Sequence, residues 1–154
     1  MQMISVSDVK QSADEAFASG LYCAESVVYA LAKAQGVESD VLPKIATAFC
    51  SGMSRMCGPC GALTGAVMGV SLALGRNKAD EPIKACYMAT QRLVGEFAER
   101  FGARNCNDLL GCDLSTPEGQ ATFREECLHE RCKKYTVTAA EIAARLISEH
   151  SNGI

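Results

Sequence analysis

Residues 56–75 form an uncharged, apolar segment with regularly spaced glycines, and few folds can accommodate such a segment. Gly61, Gly65 and Gly69 recur every four residues and therefore share one face of a helix. Glycine inside a helix costs about 1 kcal/mol relative to alanine, so three in line indicate close backbone packing against a neighbouring helix. That neighbour can belong to the same chain or to the other subunit of a homodimer.

The same segment raises the question of a membrane span. Its helical part, expected over roughly Gly61–Leu74, would be about 21 Å long at 1.5 Å per residue. The hydrocarbon core of a bilayer is about 30 Å thick, so this helix is too short to cross it. We therefore expect a buried central helix and no membrane span.

The rest of the chain also shows helical periodicity, apart from a loop expected over residues 50–59, and no segment alternates as a strand would. Ser115, Thr116 and Pro117 predict the start of a helix that reaches Cys132. Thr138 and Glu141 have the spacing of a capping box, which predicts that the final helix begins there. No internal repeat or linker divides the chain. The sequence predicts an all-α, multi-helix bundle, with residues 1–154 as one domain.

Composition narrows the function. The net charge is −3 and the basic residues are scattered, so the chain does not resemble a nucleic-acid-binding protein. Nine cysteines are present, and the odd count leaves at least one of them unpaired. The N-terminus lacks the basic and apolar regions of a signal peptide. We therefore expect a cytoplasmic location, where clustered cysteines are redox-active or metal-binding more often than structural.

The sharpest local motif is Cys57-Gly58-Pro59-Cys60, directly before the apolar helix. Two cysteines at this spacing around a turn have Cα atoms about 5 Å apart, which suits a disulfide. Unpaired amides at the start of the helix are expected to lower the pKa of the Cys60 thiol toward neutrality. Thioredoxin has the same four-residue motif, but its strand–helix alternation is missing here. The pair is therefore interpreted as a redox dithiol, half of a metal site, or an inert pair.

A longer pattern surrounds this motif. The run Cys60-Gly61-Ala62-Leu63-Thr64-Gly65 matches a CGAxxG signature, and the chain resembles the redox-active protein family named for a C–GCAxxG–C–C pattern. The resemblance covers nearly the whole chain. It implies that the four characteristic cysteines are those at positions 23, 60, 106 and 132, and that the protein has a redox role. Cys57 is not one of the four.

Our leading hypothesis is a thiol–disulfide redox protein that requires no cofactor. Cys60 would be the nucleophile or a bridge partner, and Cys57 the nearest resolving thiol. Cys23, Cys106 and Cys132 would form a second bridge or relay electrons to the first. The partner would be another redox protein or a small thiol.

Metal binding is the main alternative. Thiolates of Cys57, Cys60, Cys106 and Cys132 could hold zinc or an iron–sulfur cluster, and His129 could replace one of them. A second short-spaced cysteine pair, common in such sites, is missing. A third interpretation is an interaction protein whose cysteines mainly fill core positions.

Overall fold

The structure is a computed structural model that describes residues 3–153, and nearly all of its regular structure is helical. In chain order the elements are α1 (Val6–Ala18), α2 (Cys23–Ala34), a 3₁₀ helix (Lys44–Phe49), α3 (Cys50–Arg55), α4 (Gly61–Leu74), α5 (Lys84–Phe101), α6 (Cys106–Leu110), α7 (Pro117–Glu125) and α8 (His129–Ser151). Residues 3–153 contain no β-strand, and an isolated β-bridge joins Pro59 to Asn105. The predicted all-α fold is confirmed.

The central helix α4 spans the residues expected from the sequence, and its glycine face packs on α2 of the same chain. A Cβ atom at Gly65 would lie 2.6 Å from the carbonyl oxygen of Ala24, and one at Gly69 would overlap Leu31. Side chains at these positions would force the two helices apart. The glycine stripe is therefore accounted for by packing within the chain.

Helix α8 is longer than predicted. It begins at His129, and Thr138, expected to start the final helix, lies in its interior with 8% of its surface exposed. The break between α7 and α8 falls instead at Cys127, whose φ of 53° is left-handed and interrupts a right-handed helix. The prediction of one helix from Pro117 to Cys132 is therefore wrong. As a consequence, Cys132 lies inside the first turns of α8.

The helices enclose one hydrophobic core. Leu31 of α2, Val70 of α4, Leu93 and Phe97 of α5, and Ile147 of α8 all have fully buried side chains. Helix α4 contacts α2, α5 and α8, while α1 contacts α2 and α8. Across residues 3–153, each helix is too short or too polar to span a membrane.

Candidate functional site: a cavity lined by four cysteines

Four cysteines line a single cavity of about 350 Å³: Cys23, Cys60, Cys106 and Cys132. We call these the cavity cysteines. Three of the four are buried, and Cys132 is half-buried. They are the same four residues that the family resemblance singled out, although up to 109 positions separate them along the chain. Tertiary packing therefore brings the whole set to one place.

Each cavity cysteine occupies the N-terminal part of a different helix. Cys23 and Cys106 are the first residues of α2 and α6, Cys60 immediately precedes α4, and Cys132 is the fourth residue of α8. The first turn of a helix carries unpaired backbone N–H groups and the positive end of the helix dipole. Four helix starts therefore converge on the cavity, and the amides of Ala62 and Leu63 at the start of α4 lower the pKa of the Cys60 thiol.

Backbone pairing holds Cys60 and Cys106 on the same side of a short antiparallel ladder. The amide of Cys60 donates to the carbonyl of Arg104 over 2.8 Å, and the amide of Cys106 donates to the carbonyl of Gly58 over 2.9 Å. The Pro59–Asn105 bridge lies between these two hydrogen bonds. Cys60 lies opposite Arg104, and Arg104 is two residues before Cys106, so the two cysteines share one face of the ladder. Both thiols therefore point to the cavity.

Burial dominates the acidity of these thiols. It raises the pKa of Cys60 to about 11, although the amides of Ala62 and Leu63 at the start of α4 lower it. Burial also raises the pKa of Cys106 to about 11. The pKa of Cys132 rises to about 12 through burial and, secondarily, through the neighbouring Cys60 and Cys106. The expectation that the helix start brings the Cys60 pKa toward neutrality is therefore wrong, because desolvation outweighs the helix amides.

Cys23 lies in a space that exists because residue 61 is glycine. A Cβ atom at Gly61 would overlap the Sγ atom of Cys23 and lie 3.1 Å from the Cα atom of Cys50. Cys50 is a buried thiol that donates weakly to Glu25 Oε1 and to the Ala46 carbonyl, both over 3.7 Å. Its contact with the Cys23 thiol is the main reason that its pKa is raised. No sequence motif links Cys50 to Cys23, so sequence reasoning assigned no role to Cys50.

Cys57, the other half of the dithiol motif, does not line the cavity. Its thiol donates a 3.1 Å hydrogen bond to Oδ1 of Asp113, and this contact raises the pKa of Cys57. The pKa of Asp113 is lowered, first by the side chain of Ser115 and then by Cys57. The structure thus places the two thiols of the motif in different surroundings: Cys57 faces a carboxylate near the surface and Cys60 faces the cavity. Asp113 follows Cys112 directly, but its contact with Cys57 was not predictable from spacing.

A left-handed turn forms one side of the cavity. The φ angles from Ser51 to Arg55 lie between 59° and 69°, where the sequence predicted an irregular loop. A non-glycine residue in this conformation costs roughly 1–2 kcal/mol. The turn nevertheless brings Ser51, Gly52 and Arg55 to the cavity wall. Strain of this kind is concentrated at functional sites in proteins, which is consistent with a functional role for this wall.

The rest of the cavity lining combines apolar side chains with two exposed arginines. Leu109, Leu110, Leu114 and Phe123 supply apolar surface, and Phe17 stacks on His129 with ring centroids 4.6 Å apart. Arg55 and Arg124, both exposed, also line the cavity. Sequence reasoning missed both arginines: Arg55 lies two residues before Cys57, but a single basic residue carries no signal of the cavity that it lines after folding.

The four residues of the metal alternative are not all directed at one centre. Cys60, Cys106 and Cys132 line the cavity, whereas Cys57 is turned toward Asp113. His129 lines the cavity as well, but its ring is stacked on Phe17. Over the part of the chain that the structure describes, no three His, Cys, Asp or Glu side chains are arranged to hold a metal ion. Of the four thiols that the four-thiolate alternative requires, Cys57 therefore stands apart from the other three.

Comparison with known proteins adds a family. A family model described as "Putative redox-active protein (C_GCAxxG_C_C)" matches residues 21–146. This range contains all four cavity cysteines and the N-terminal turns of the helices that carry them. No significant match exists among curated proteins or solved structures.

Proposed function

Because the chain belongs to the C_GCAxxG_C_C family of redox-active proteins, we propose that it is a thiol–disulfide redox protein that works through its cavity cysteines. The observation that carries this proposal is the convergence of Cys23, Cys60, Cys106 and Cys132 on one cavity. Four thiols from four helices need not share a cavity if they merely fill core positions. A common cavity gives them access to the same substrate.

Within this set, Cys60 is the attacking thiol and Cys106 the resolving one. The two residues share one face of the ladder formed by residues 58–60 and 104–106, and each is 8% exposed or less. Cys60 also has the amides of Ala62 and Leu63 nearby, which favour its thiolate. Cys132 lines the same cavity, and after burial the neighbouring Cys60 and Cys106 contribute to the rise in its pKa.

The chemistry is a two-step exchange with a substrate disulfide. The Cys60 thiolate attacks one substrate sulfur, forming a mixed disulfide and releasing the first substrate thiolate. The Cys106 thiolate then attacks the Cys60 sulfur, forming the Cys60–Cys106 disulfide and releasing the second. Two electrons pass from the protein to the substrate, and the two protons of the protein thiols end on the two released thiols.

The direction of electron flow follows from burial. Dithiols whose thiolate is stabilised are oxidising, because their reduced form is favoured. Here burial raises the pKa of Cys60 and Cys106 to about 11, so the thiolate gains no such stabilisation. We therefore expect the dithiol to act as a reductant, in contrast to dithiols that a stabilised thiolate makes strongly oxidising.

The test is to equilibrate the protein with glutathione buffers of graded potential, trap thiols by alkylation at low pH, and map the products by mass spectrometry. We expect a reversible two-electron transition that protects Cys60 and Cys106 together. Cys60→Ser should abolish the transition. Cys86 is half-buried and lies outside the cavity, so Cys86→Ser should leave the transition intact. Cavity cysteines that stay reduced at every potential would contradict the proposal. Elemental analysis of protein that is purified anaerobically tests the zinc and iron–sulfur alternative.

A further inference from the structure

The cavity combines three properties that together define a class of substrate: thiols on its walls, apolar side chains beside them, and positive charge at its edge. We infer that the cavity accepts a low-molecular-weight disulfide that carries carboxylate groups. This inference rests on the proposed function and adds the substrate class to it.

The charged residues that line the cavity favour an anionic substrate. The chain has a net charge of −3 and 18 acidic residues, yet within residues 3–153 no Asp or Glu lines the cavity. The charged lining residues are Arg55 and Arg124. Neither arginine takes part in the ion pairs of the described chain, all of which involve other basic residues. Two guanidinium groups outside any ion pair, beside one cavity, are suited to carboxylate, which they can bind in a bidentate manner.

The backbone supports the position of Arg55. This residue ends the left-handed turn with φ at 69°, a conformation that a non-glycine residue adopts at a cost. A right-handed continuation would send the chain, and the guanidinium with it, in another direction. The strained turn therefore holds a cation at the edge of a cavity that contains thiols.

The size and polarity of the cavity also restrict the substrate. A cavity of about 350 Å³ lies near the lower end of the range for small-molecule sites, so one small disulfide fits and a folded protein surface does not. The leucines at 109, 110 and 114 are at most 8% exposed and Phe123 is half-buried, and the parts of them that face the cavity would stay uncovered beside a bare inorganic anion. Methylene groups and sulfur atoms between two carboxylates would cover them and gain contact with apolar surface that is otherwise left to water.

The reaction with such a disulfide requires no reactant besides the protein dithiol and the disulfide itself. Cys60 attacks one sulfur of the disulfide R–S–S–R and becomes Cys60–S–S–R, while the first R–S⁻ leaves. Cys106 attacks the Cys60 sulfur and releases the second R–S⁻. The protein dithiol is oxidised to a disulfide, and one disulfide molecule is reduced to two carboxylate-bearing thiols that take up the two protons.

The experiment compares three aliphatic disulfides that differ in charge: 3,3′-dithiodipropionate, a dianion; bis(2-hydroxyethyl) disulfide, which is neutral; and cystamine, a dication. The rate constant for oxidation of Cys60 and Cys106 in the reduced protein is followed by alkylation and mass spectrometry. Cys86, outside the cavity, serves as the internal reference thiol. We expect the dianion to oxidise the cavity cysteines at least about tenfold faster than the dication, relative to Cys86, with the ratio falling in high salt.

The Arg55→Gln/Arg124→Gln variant should lose this preference, and the Arg76→Gln/Lys78→Gln variant, which removes equal charge outside the cavity, should keep it. Equal rates for all three disulfides in the parent protein, or an unchanged ratio in Arg55→Gln/Arg124→Gln, would overturn the inference and leave the proposed function standing. If none of the three disulfides oxidises the cavity cysteines, the proposed function fails as well. The salt dependence is measured on the parent protein and does not depend on any variant folding.

Discussion

The Sγ atom of Cys23 occupies the space that a side chain at Gly61 would fill. Gly61 directly follows Cys60, so the glycine of the CGAxxG run is what lets a cysteine of α2 reach the start of α4. The signature therefore describes a contact between two helices as well as a local sequence. Its glycine and its cysteines belong to the same structural unit.

Replacing Gly61 by alanine should destabilise the protein by about 1–2 kcal/mol. The new methyl would meet Cys23 Sγ, the Cα atom of Cys50 and the carbonyl oxygen of Phe49, and the two backbone atoms cannot rotate away. Overpacking of this kind outweighs the gain in helix propensity. Urea unfolding at neutral pH measures the change.

Gly95→Ala is the matched control for this substitution. Gly95 is an exposed residue inside α5, and a Cβ atom added to it would meet no neighbouring atom within 4 Å. Alanine there should stabilise the protein by about 0.5–1 kcal/mol through its higher helix propensity. Two glycine-to-alanine changes in helices should therefore have opposite signs. Equal effects at the two positions would contradict the packing described for Gly61.

Alkaline pH should destabilise the reduced protein. Below pH 9 both the folded and the unfolded chain hold the Cys60 and Cys106 thiols protonated. Above pH 9 the unfolded chain releases these protons, while the folded chain keeps them until about pH 11. The unfolded state is thus increasingly favoured as pH rises through this window, by about 1 kcal/mol per thiol at pH 10.

Urea unfolding at pH 8 and pH 10 under reducing conditions measures this loss. Cys60→Ala and Cys106→Ala should each remove about one thiol's share of the pH dependence. A pH dependence identical in the parent protein and in both variants would show that burial does not raise the pKa of the Cys60 and Cys106 thiols.

Removing the Asp113 carboxylate should make Cys57 more reactive. The hydrogen bond to Asp113 and the nearby negative charge raise the pKa of the Cys57 thiol, so Asp113→Asn should lower that pKa and increase the thiolate fraction at pH 8. Alkylation with iodoacetamide, mapped by mass spectrometry, should show a severalfold faster reaction at Cys57 and an unchanged rate at Cys60. An unchanged Cys57 rate would mean that the carboxylate does not hold the proton in place.

Cys127 should tolerate glycine better than alanine. Its φ of 53° lies in the left-handed region, and its side chain is exposed between α7 and α8. Cys127→Gly should therefore be more stable than Cys127→Ala by about 1 kcal/mol. Comparison of the two thermal midpoints tests this, and glutathione titration of both variants should match that of the parent protein, because Cys127 does not line the cavity.

Local patterns predicted much of the fold. The bounds of α4 and the close packing of its glycine face follow from spacing alone, since residues four apart must share a helix face. The start of the final helix was predicted at the wrong residue, because Thr138 and Glu141 have the spacing of a capping box but lie in the interior of α8. A cap motif states only that a helix can begin at a residue, and the buried alanines at 139, 140 and 143 continue the helix through it.

The order of residues was enough to predict that this chain is helical, that α4 lies at its centre and, through the family pattern, the four cysteines that line one cavity. What those cysteines face depends on the folded chain. Folding turned Cys57 toward Asp113 and away from the cavity, brought Arg55 and Arg124 to the cavity edge, and raised the pKa of Cys60 where the helix start predicted the opposite. Burial and long-range charge depend on atoms far away in the chain, so no local spacing contains them.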